Sequence, residues 1–331
     1  MEKQIKAPAR LKRVLLMTAK ALLLLFIIFS IIPYLLPLRE LESSATELVY
    51  DNSSFATANE LIFHYRYWPG GDDSICNVLL VHGFGASTFS WRYTAPFLAD
   101  RGYNVYALDL PGFGLSDRQS GIDHSSSARA ANSWAILEEL APNSRWHLVG
   151  HSMGGATAAE MALLKPDQVE SLTLAAGAVL DRPVTRSNYI FKYPPVKRWA
   201  RFFAIHFFLT ENRVEQLLLS AYGRQPSAEE REGYYRPLTI SGTDLVLTEV
   251  LQTGITTPGK RLSGFDLPVL CIWGEDDHWV PLEQGREAAR IISGAELEII
   301  PGEGHCPMET APDQFNDLLL NFLQRVNPDK N

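Results

Sequence analysis

Between an apolar run at residues 146–149 and an Ala-, Met- and Leu-rich stretch at 156–164 the chain has six residues, Gly150-His151-Ser152-Met153-Gly154-Gly155. A short continuous apolar run reads as a buried strand, and the following composition favours a helix. The chain must therefore turn from strand to helix within a few residues, which forces the serine at the tip into a strained backbone conformation. The flanking glycines complete a G-x-S-x-G pattern and let neighbouring backbone pass without a Cβ clash. Such a turn exposes the Ser152 hydroxyl at a helix N-terminus. There the peptide dipoles favour developing negative charge, and the Met153 amide can point at an oxyanion.

The same alternation runs through most of the chain. Residues 61–68, 78–81, 105–108, 169–175, 268–273 and 297–300 read as strands, and 91–99 and 125–140 as helices. A first strand is expected near 47–50. Continuous apolar strands separated by helices predict a doubly wound α/β architecture with a mostly parallel sheet covered on both faces. In such sheets ligands sit outside the carboxyl ends of the strands.

The candidate chemistry falls at those ends. His82-Gly83-Phe84-Gly85 follows one strand, and the Phe84 amide is placed to be a second oxyanion donor opposite that of Met153. His82 is expected to hold its loop by hydrogen bonds. His151 is expected to point away from Ser152 in a structural role. Asp276 and Asp277 both lie just past the next-to-last strand and compete for one acidic role. His305, flanked by Gly304, follows the last strand. A serine hydroxyl is a poor nucleophile until a base takes its proton. A neutral imidazole can do so near pH 7 if a carboxylate fixes its tautomer and stabilises the imidazolium. The three cysteines, Cys76, Cys271 and Cys306, are too few and too scattered for a disulfide framework or a metal site, so neither metal nor cofactor is expected.

The N-terminus is a separate problem. Residues 14–38 are apolar apart from Lys20, long enough for a membrane-spanning helix once that side chain snorkels. Lys3, Lys6, Arg10, Lys12 and Arg13 precede the run, whereas Arg39 beyond it is offset by Glu40. The positive-inside bias then predicts a cytoplasmic N-terminus and a globular part on the other side. The alternative is a secreted chain released by cleavage after the small residues Ser43-Ser44-Ala45, but these lie far from an apolar run already long for a signal peptide. Beyond residue 40 the balance is 23 basic to 36 acidic residues, which argues against a nucleic-acid partner.

Together these residues give the chain a resemblance to the α/β-hydrolase superfamily, in its serine-nucleophile branch with a helical lid. The motifs are His82-Gly83-Phe84-Gly85, Trp91-Arg92, the segment from Asp109-Leu110-Pro111-Gly112 to Ser116-Asp117, Gly150 to Gly155, Gly274-Glu275-Asp276-Asp277 and Gly304-His305. The resemblance covers roughly residues 61–326. It implies Ser152, Asp277 and His305 as the triad, the acid falling on Asp277 because the family pattern is G-x-x-D. Epoxide hydrolases and haloalkane dehalogenases share much of the pattern but use an aspartate nucleophile, so they are disfavoured. With the anchor, which is an addition to the family pattern, the expected organisation is a basic segment (1–13), an anchor (14–38), a linker (39–58), two parts of a hydrolase core (59–177 and 267–327) and an inserted lid (178–266). The expected activity is hydrolysis of an ester or related acyl bond of a small lipophilic substrate. C–C bond hydrolysis or perhydrolysis on the same triad is an alternative, and a non-catalytic accessory protein another. The lid holds many aromatics, among them Tyr189, Tyr193, Trp199, Phe203, Phe207 and Phe208, some expected to line an apolar pocket.

Overall fold

The computed structural model describes residues 9–41, 43–72, 74–181, 190–253 and 256–328. Lys3, Lys6 and Tyr189 lie outside the described residues. Among those described, the strands are β1 (Ser53–Ala58), β2 (Leu61–Trp68), β3 (Asn77–Val81), β4 (Asn104–Leu108), β5 (Trp146–His151), β6 (Val169–Ala175), β7 (Val269–Gly274) and β8 (Glu296–Ile300). They form one sheet in the order β1-β2-β4-β3-β5-β6-β7-β8. β1 and β2 run antiparallel to their neighbours and the rest is parallel.

The first strand is not at 47–50. There the chain makes a 3-10 turn, Ala45–Glu47, whose N-terminal amide is capped by Ser44. The strand forms later because Asn59 and Glu60 both take left-handed φ, 50° and 63°, bringing Ala58 opposite Leu61. Positive φ at both central residues marks the two-residue hairpin turn whose twist suits antiparallel strands. The segment expected to be helical over 91–99 is divided into a 3-10 turn, Thr88–Trp91, and a helix from Thr94.

Helix α1 (Ala9–Leu35) precedes the sheet. Helices α2 (Thr94–Ala99), α3 (Ser126–Leu140) and α4 (Met153–Leu164) alternate with the strands. Between β6 and β7 lie α5 (Pro194–Phe203), which runs directly into a π-helical turn (Ala204–Phe208), then α6 (Glu211–Tyr222), α7 (Ala228–Leu238) and α8 (Thr243–Thr253). The chain closes with α9 (Leu282–Ile291), α10 (Pro307–Thr310) and α11 (Pro312–Val326). Alternation along β3 shows why both faces need cover. Leu79 and Val81 join a core with α3, α4 and α9, while Val78 and Leu80 join a second core with α2 and α11. On α11 the stripe Phe315, Leu319, Phe322 and Leu323 is buried; each such side chain contributes about 1.5–3 kcal/mol by leaving water. Helix α1 is long and apolar enough to cross a membrane, a property that signal sequences share.

The inserted helices are tied to the core by a buried carboxylate. Glu309 on α10 accepts hydrogen bonds from Arg92, from the Tyr222 hydroxyl at the end of α6 (2.9 Å) and from the Tyr234 hydroxyl on α7 (2.5 Å). Arg92 also reaches Glu230 on α7 at 3.3 Å. Burial raises the Glu309 carboxyl, Arg92 opposes that shift, and the carboxylate joins burial in raising both phenols. Glu309→Ala should therefore cost about 3 kcal/mol, the low end for a broken buried pair because Glu230 remains beside Arg92. Glu309→Gln, which keeps an acceptor, should cost less. Urea unfolding of the two variants checks this, and equal losses would deny the carboxylate its tying role.

Candidate active site

The strand order fixes where a site can form. After β3 the sheet grows in one direction to β4, and then β5 pairs with the other side of β3. The loops after β3 and β5 therefore diverge at a topological switch point, where a crevice opens at the carboxyl ends. The register Val81↔Gly150 places His82 beside His151.

Ser152 has φ 51° and ψ −116°, and it directly precedes α4. Its amide donates to Ala175 O (3.1 Å), and its carbonyl accepts from the amides of Gly155 (3.0 Å) and Ala178 (2.9 Å). The turn is tight enough that a Cβ on Gly150 would lie 2.3 Å from Gly154 O, so only glycine fits there. The loop after β3 passes just as close: a Cβ on Gly83 would lie 3.2 Å from the Ser152 Cβ and 2.9 Å from His151 Nδ1. The sequence-derived oxyanion pair, Phe84 and Met153, thus sits on two chain segments that meet at Ser152. Met153 is the first residue of α4, so its N–H has no partner within the helix. Phe84 itself is exposed, its ring set edge-on to Phe113 at 5.7 Å.

His82 holds its loop in two ways. Its Nδ1 donates to Gly83 O (2.7 Å) and its Nε2 accepts from the Leu110 amide (3.1 Å). Asp109 supports the same loop from below, accepting from the Thr88 amide (2.6 Å), the Leu115 amide (2.8 Å) and His64 Nδ1 (2.6 Å).

Of the two competing aspartates, Asp277 is the one that meets the histidine. His305 Nδ1 lies 2.8 Å from Asp277 Oδ2, and both residues are buried. Asp277 Oδ1 accepts from the amides of Trp279 (2.8 Å) and Val280 (2.9 Å). Both carboxylate oxygens are thus occupied by donors, which fixes the orientation of the group. Asp276 is exposed and only its amide is engaged, on Glu303 O. A proton on His305 Nδ1, assigned from this bonding pattern, leaves Nε2 as the basic nitrogen.

His151 connects the serine turn to the histidine loop. Its Nε2 donates to His305 O at 2.9 Å and its ring lies 4.7 Å from the His305 ring. Two further contacts carried no sequence signal. Trp279 stacks on His305 at 5.4 Å and 26°, its indole N–H donating to Ser220 Oγ on α6 (3.0 Å). The His305 amide donates to Ala221 O, also on α6, at 2.7 Å. Among the described residues no three His, Cys, Asp or Glu side chains gather as a metal site. A serine on a strained turn at a helix N-terminus and a carboxylate-oriented imidazole suit acyl transfer.

Comparison with known proteins agrees with this fold. Residues 77–312 match the family described as alpha/beta hydrolase fold, and the chain belongs to it. It is 28% identical over 279 residues to the 2-hydroxy-6-oxononadienedioate/2-hydroxy-6-oxononatrienedioate hydrolase of Escherichia coli K12, covering 80% of this chain and 92% of that one. A probable hydrolytic enzyme from Pseudomonas aeruginosa PAO1 superposes with a TM-score of 0.68 at 26% identity, covering 82% and 93% of the two chains. A membrane phospholipase A described as a bacterial virulence factor superposes with a TM-score of 0.69 at 24% identity, covering 95% and 99%. That last likeness concerns the fold.

Burial lowers the pKa of His82, of His151 (with neighbouring His305 adding to the effect) and of His124, which is pushed down to about 4. These rings fold neutral, while in the unfolded chain each protonates near pH 6.5. The unfolded state therefore binds more protons as pH falls, and stability present above pH 6.5 should be lost progressively towards pH 4. His124→Gln should flatten that slope. Unfolding free energies measured at pH 7.5 and pH 5 read it, and identical slopes in both proteins would refute the assignment.

Proposed function

We propose that this α/β hydrolase cleaves a carboxylic ester or related acyl bond of a small lipophilic molecule through Ser152, His305 and Asp277. The observation that carries this reading is the buried 2.8 Å Asp277–His305 hydrogen bond, linked through His151 to the strained Ser152 turn. In the first half-reaction His305 Nε2 takes the Ser152 proton as Oγ attacks the carbonyl carbon. The Phe84 and Met153 amides donate to the oxyanion that forms, and Asp277 stabilises the imidazolium. His305 then protonates the leaving alcohol. Water, deprotonated by the same nitrogen, attacks the acyl-enzyme and releases the acid. The inserted helices α5–α8 act as the lid, a reading supported by the contacts of α6 with His305 and Trp279.

A second reading is C–C bond hydrolysis on the same triad, favoured by the activity for which the Escherichia coli relative is named. Product analysis with that relative's substrate separates the two.

We read α1 as an uncleaved anchor, with its basic flank in the cytoplasm and the hydrolase on the other side. The contacts of α1 support its retention. Trp199 Nε1 donates to Phe29 O (2.9 Å), and Arg198 donates to Pro33 O (3.0 Å) and Leu36 O (3.3 Å). Cleavage after residue 45 would leave these donors without their acceptors.

Ser152→Ala should fold normally and lose about 10⁶-fold in turnover. Asp277→Asn should lose about 10⁴-fold through the wrong imidazole tautomer, and Asp276→Asn far less. Ester hydrolysis by a folded Ser152→Ala protein at near wild-type rate would sink the mechanism, and a larger effect at Asp276 would move the acid by one position.

An apolar pocket gains about 0.8 kcal/mol per buried CH₂, close to fourfold in binding. From acetate to medium-chain esters kcat/KM should therefore rise, then level off when the pocket fills. A steady preference for acetate would refute the lipophilic substrate.

A further inference from the structure

The aromatic residues of the first inserted segment do not all turn inwards. Phe203, Phe207 and Phe208 are 46%, 59% and 52% exposed. Ile190 and Tyr193 at the start of the segment are exposed as well. So many large apolar side chains within one short segment make a contiguous patch, which soluble surfaces rarely carry without a partner.

The patch continues from α1. Phe29 of α1 stacks on Trp199 at 5.9 Å, Trp199 on Phe203 at 5.6 Å, and Phe203 meets Phe207 at 5.7 Å. Nearer the middle of α1, Phe26 stacks on Tyr193 at 5.7 Å and Ser30 Oγ lies 2.8 Å from the Tyr193 hydroxyl. At the other end His206 Nε2 reaches Pro37 O at 3.4 Å. The α5 segment therefore lies along the last turns of α1. A hydrocarbon core about 30 Å thick takes about 20 helical residues. Counted from Val14, just after the basic residues, it ends near Pro33. The contacts with α5 straddle that level, which is where a bilayer changes from acyl chains to headgroups.

The charges suit the same place. Residues 190–213 hold Lys192, Lys197, Arg198, Arg201 and Arg213 against the single acid Glu211, and of these Arg201 is paired with Asp244 of α8 at 2.6 Å. The Arg213 guanidinium lies 5.7 Å from the Phe208 ring centroid. A helix with aromatic rings on one face and cations beside them is the pattern of a segment lying in the membrane interface. Tyr and Trp favour that layer, and basic side chains there attract anionic lipids.

We propose that α5 and the π-helical turn form a membrane-docking face, seated in the interface of the leaflet from which α1 emerges and drawn there by anionic phospholipid headgroups. This rests on the reading of α1 as an uncleaved anchor. The partner is thus the bilayer itself, gripped at two places by one chain, and the lid is held at a fixed depth.

The test uses the full chain in nanodiscs of phosphatidylcholine and phosphatidylglycerol. Phe207→Trp adds one reporter to the patch, and Leu219→Trp adds one on the exposed face of α6. The added Phe207→Trp emission should be blue-shifted and quenched severalfold by lipids brominated near the headgroup, less so by lipids brominated near the chain ends. The Leu219→Trp emission should not respond. Omitting phosphatidylglycerol should weaken the quenching, and unchanged quenching would overturn the anionic preference. If α1 is retained by intact mass and the chain enters the disc, but Phe207→Trp is not quenched, docking is overturned while the anchor stands. A blue shift without quenching, together with paired chains by mass photometry, would assign the face to a second copy and overturn docking. A mature chain beginning near Thr46 would remove the anchor and docking together.

Discussion

The Ser152 turn exists because its backbone is bonded on both sides. A non-glycine residue in the left-handed region costs on the order of 1–3 kcal/mol. Three backbone hydrogen bonds, from Ser152 to β6 and back from Gly155 and Ala178, contribute about 1 kcal/mol each, enough to offset the strain. The arrangement depends on β5 being an interior strand with β6 beside it, and hence on the hydrophobic cover that keeps both strands buried. Place the same sequence on an edge strand and the serine would relax out of the turn. The crevice between the β3 and β5 loops would have no fixed floor.

Three buried carboxylates each hold one segment of the protein in place. Asp109 fixes the loop that carries Phe84, Asp277 fixes His305, and Glu309 fixes the ends of α6 and α7. Each has its oxygens filled by amides, hydroxyls, imidazole N–H groups or a guanidinium, which is the condition for burying such a group without a large penalty. These acids lie on loops or short turns, where apolar packing alone would leave the backbone free to shift. Directional hydrogen bonds set positions that hydrophobic contacts, being non-directional, do not.

Much of this was legible because it is local. Strands, switch-point glycines and the Gly150–Gly154 turn are written in adjacent residues, and the chain order of serine, acid and base follows the strand order. The hairpin at Asn59-Glu60 was missed because neither residue is glycine, although asparagine tolerates the left-handed region. His151, Trp279 and Ala221 act through partners tens of residues or more away, and nothing in their own neighbourhoods announces it. The sequence assigns some lid aromatics to an apolar pocket because composition names rings without saying which way they face. The π-helical turn over Ala204–Phe208 breaks the helical period at Phe207 and Phe208 themselves, so a count at 3.6 residues per turn would misplace both.

One carbonyl has consequences for how such proteins can diversify. Ala221 O, on the inserted segment, receives the His305 amide, so the insertion supplies part of the frame of the residue it covers. The helices between β6 and β7 are therefore not an interchangeable module. A graft from a homologue would need to end a helix at the same point and present an acceptor at the same height above β8. Recombination that exchanges insertions would succeed only among parents sharing that geometry, and new substrate ranges would be reached by changing side chains on the existing helices.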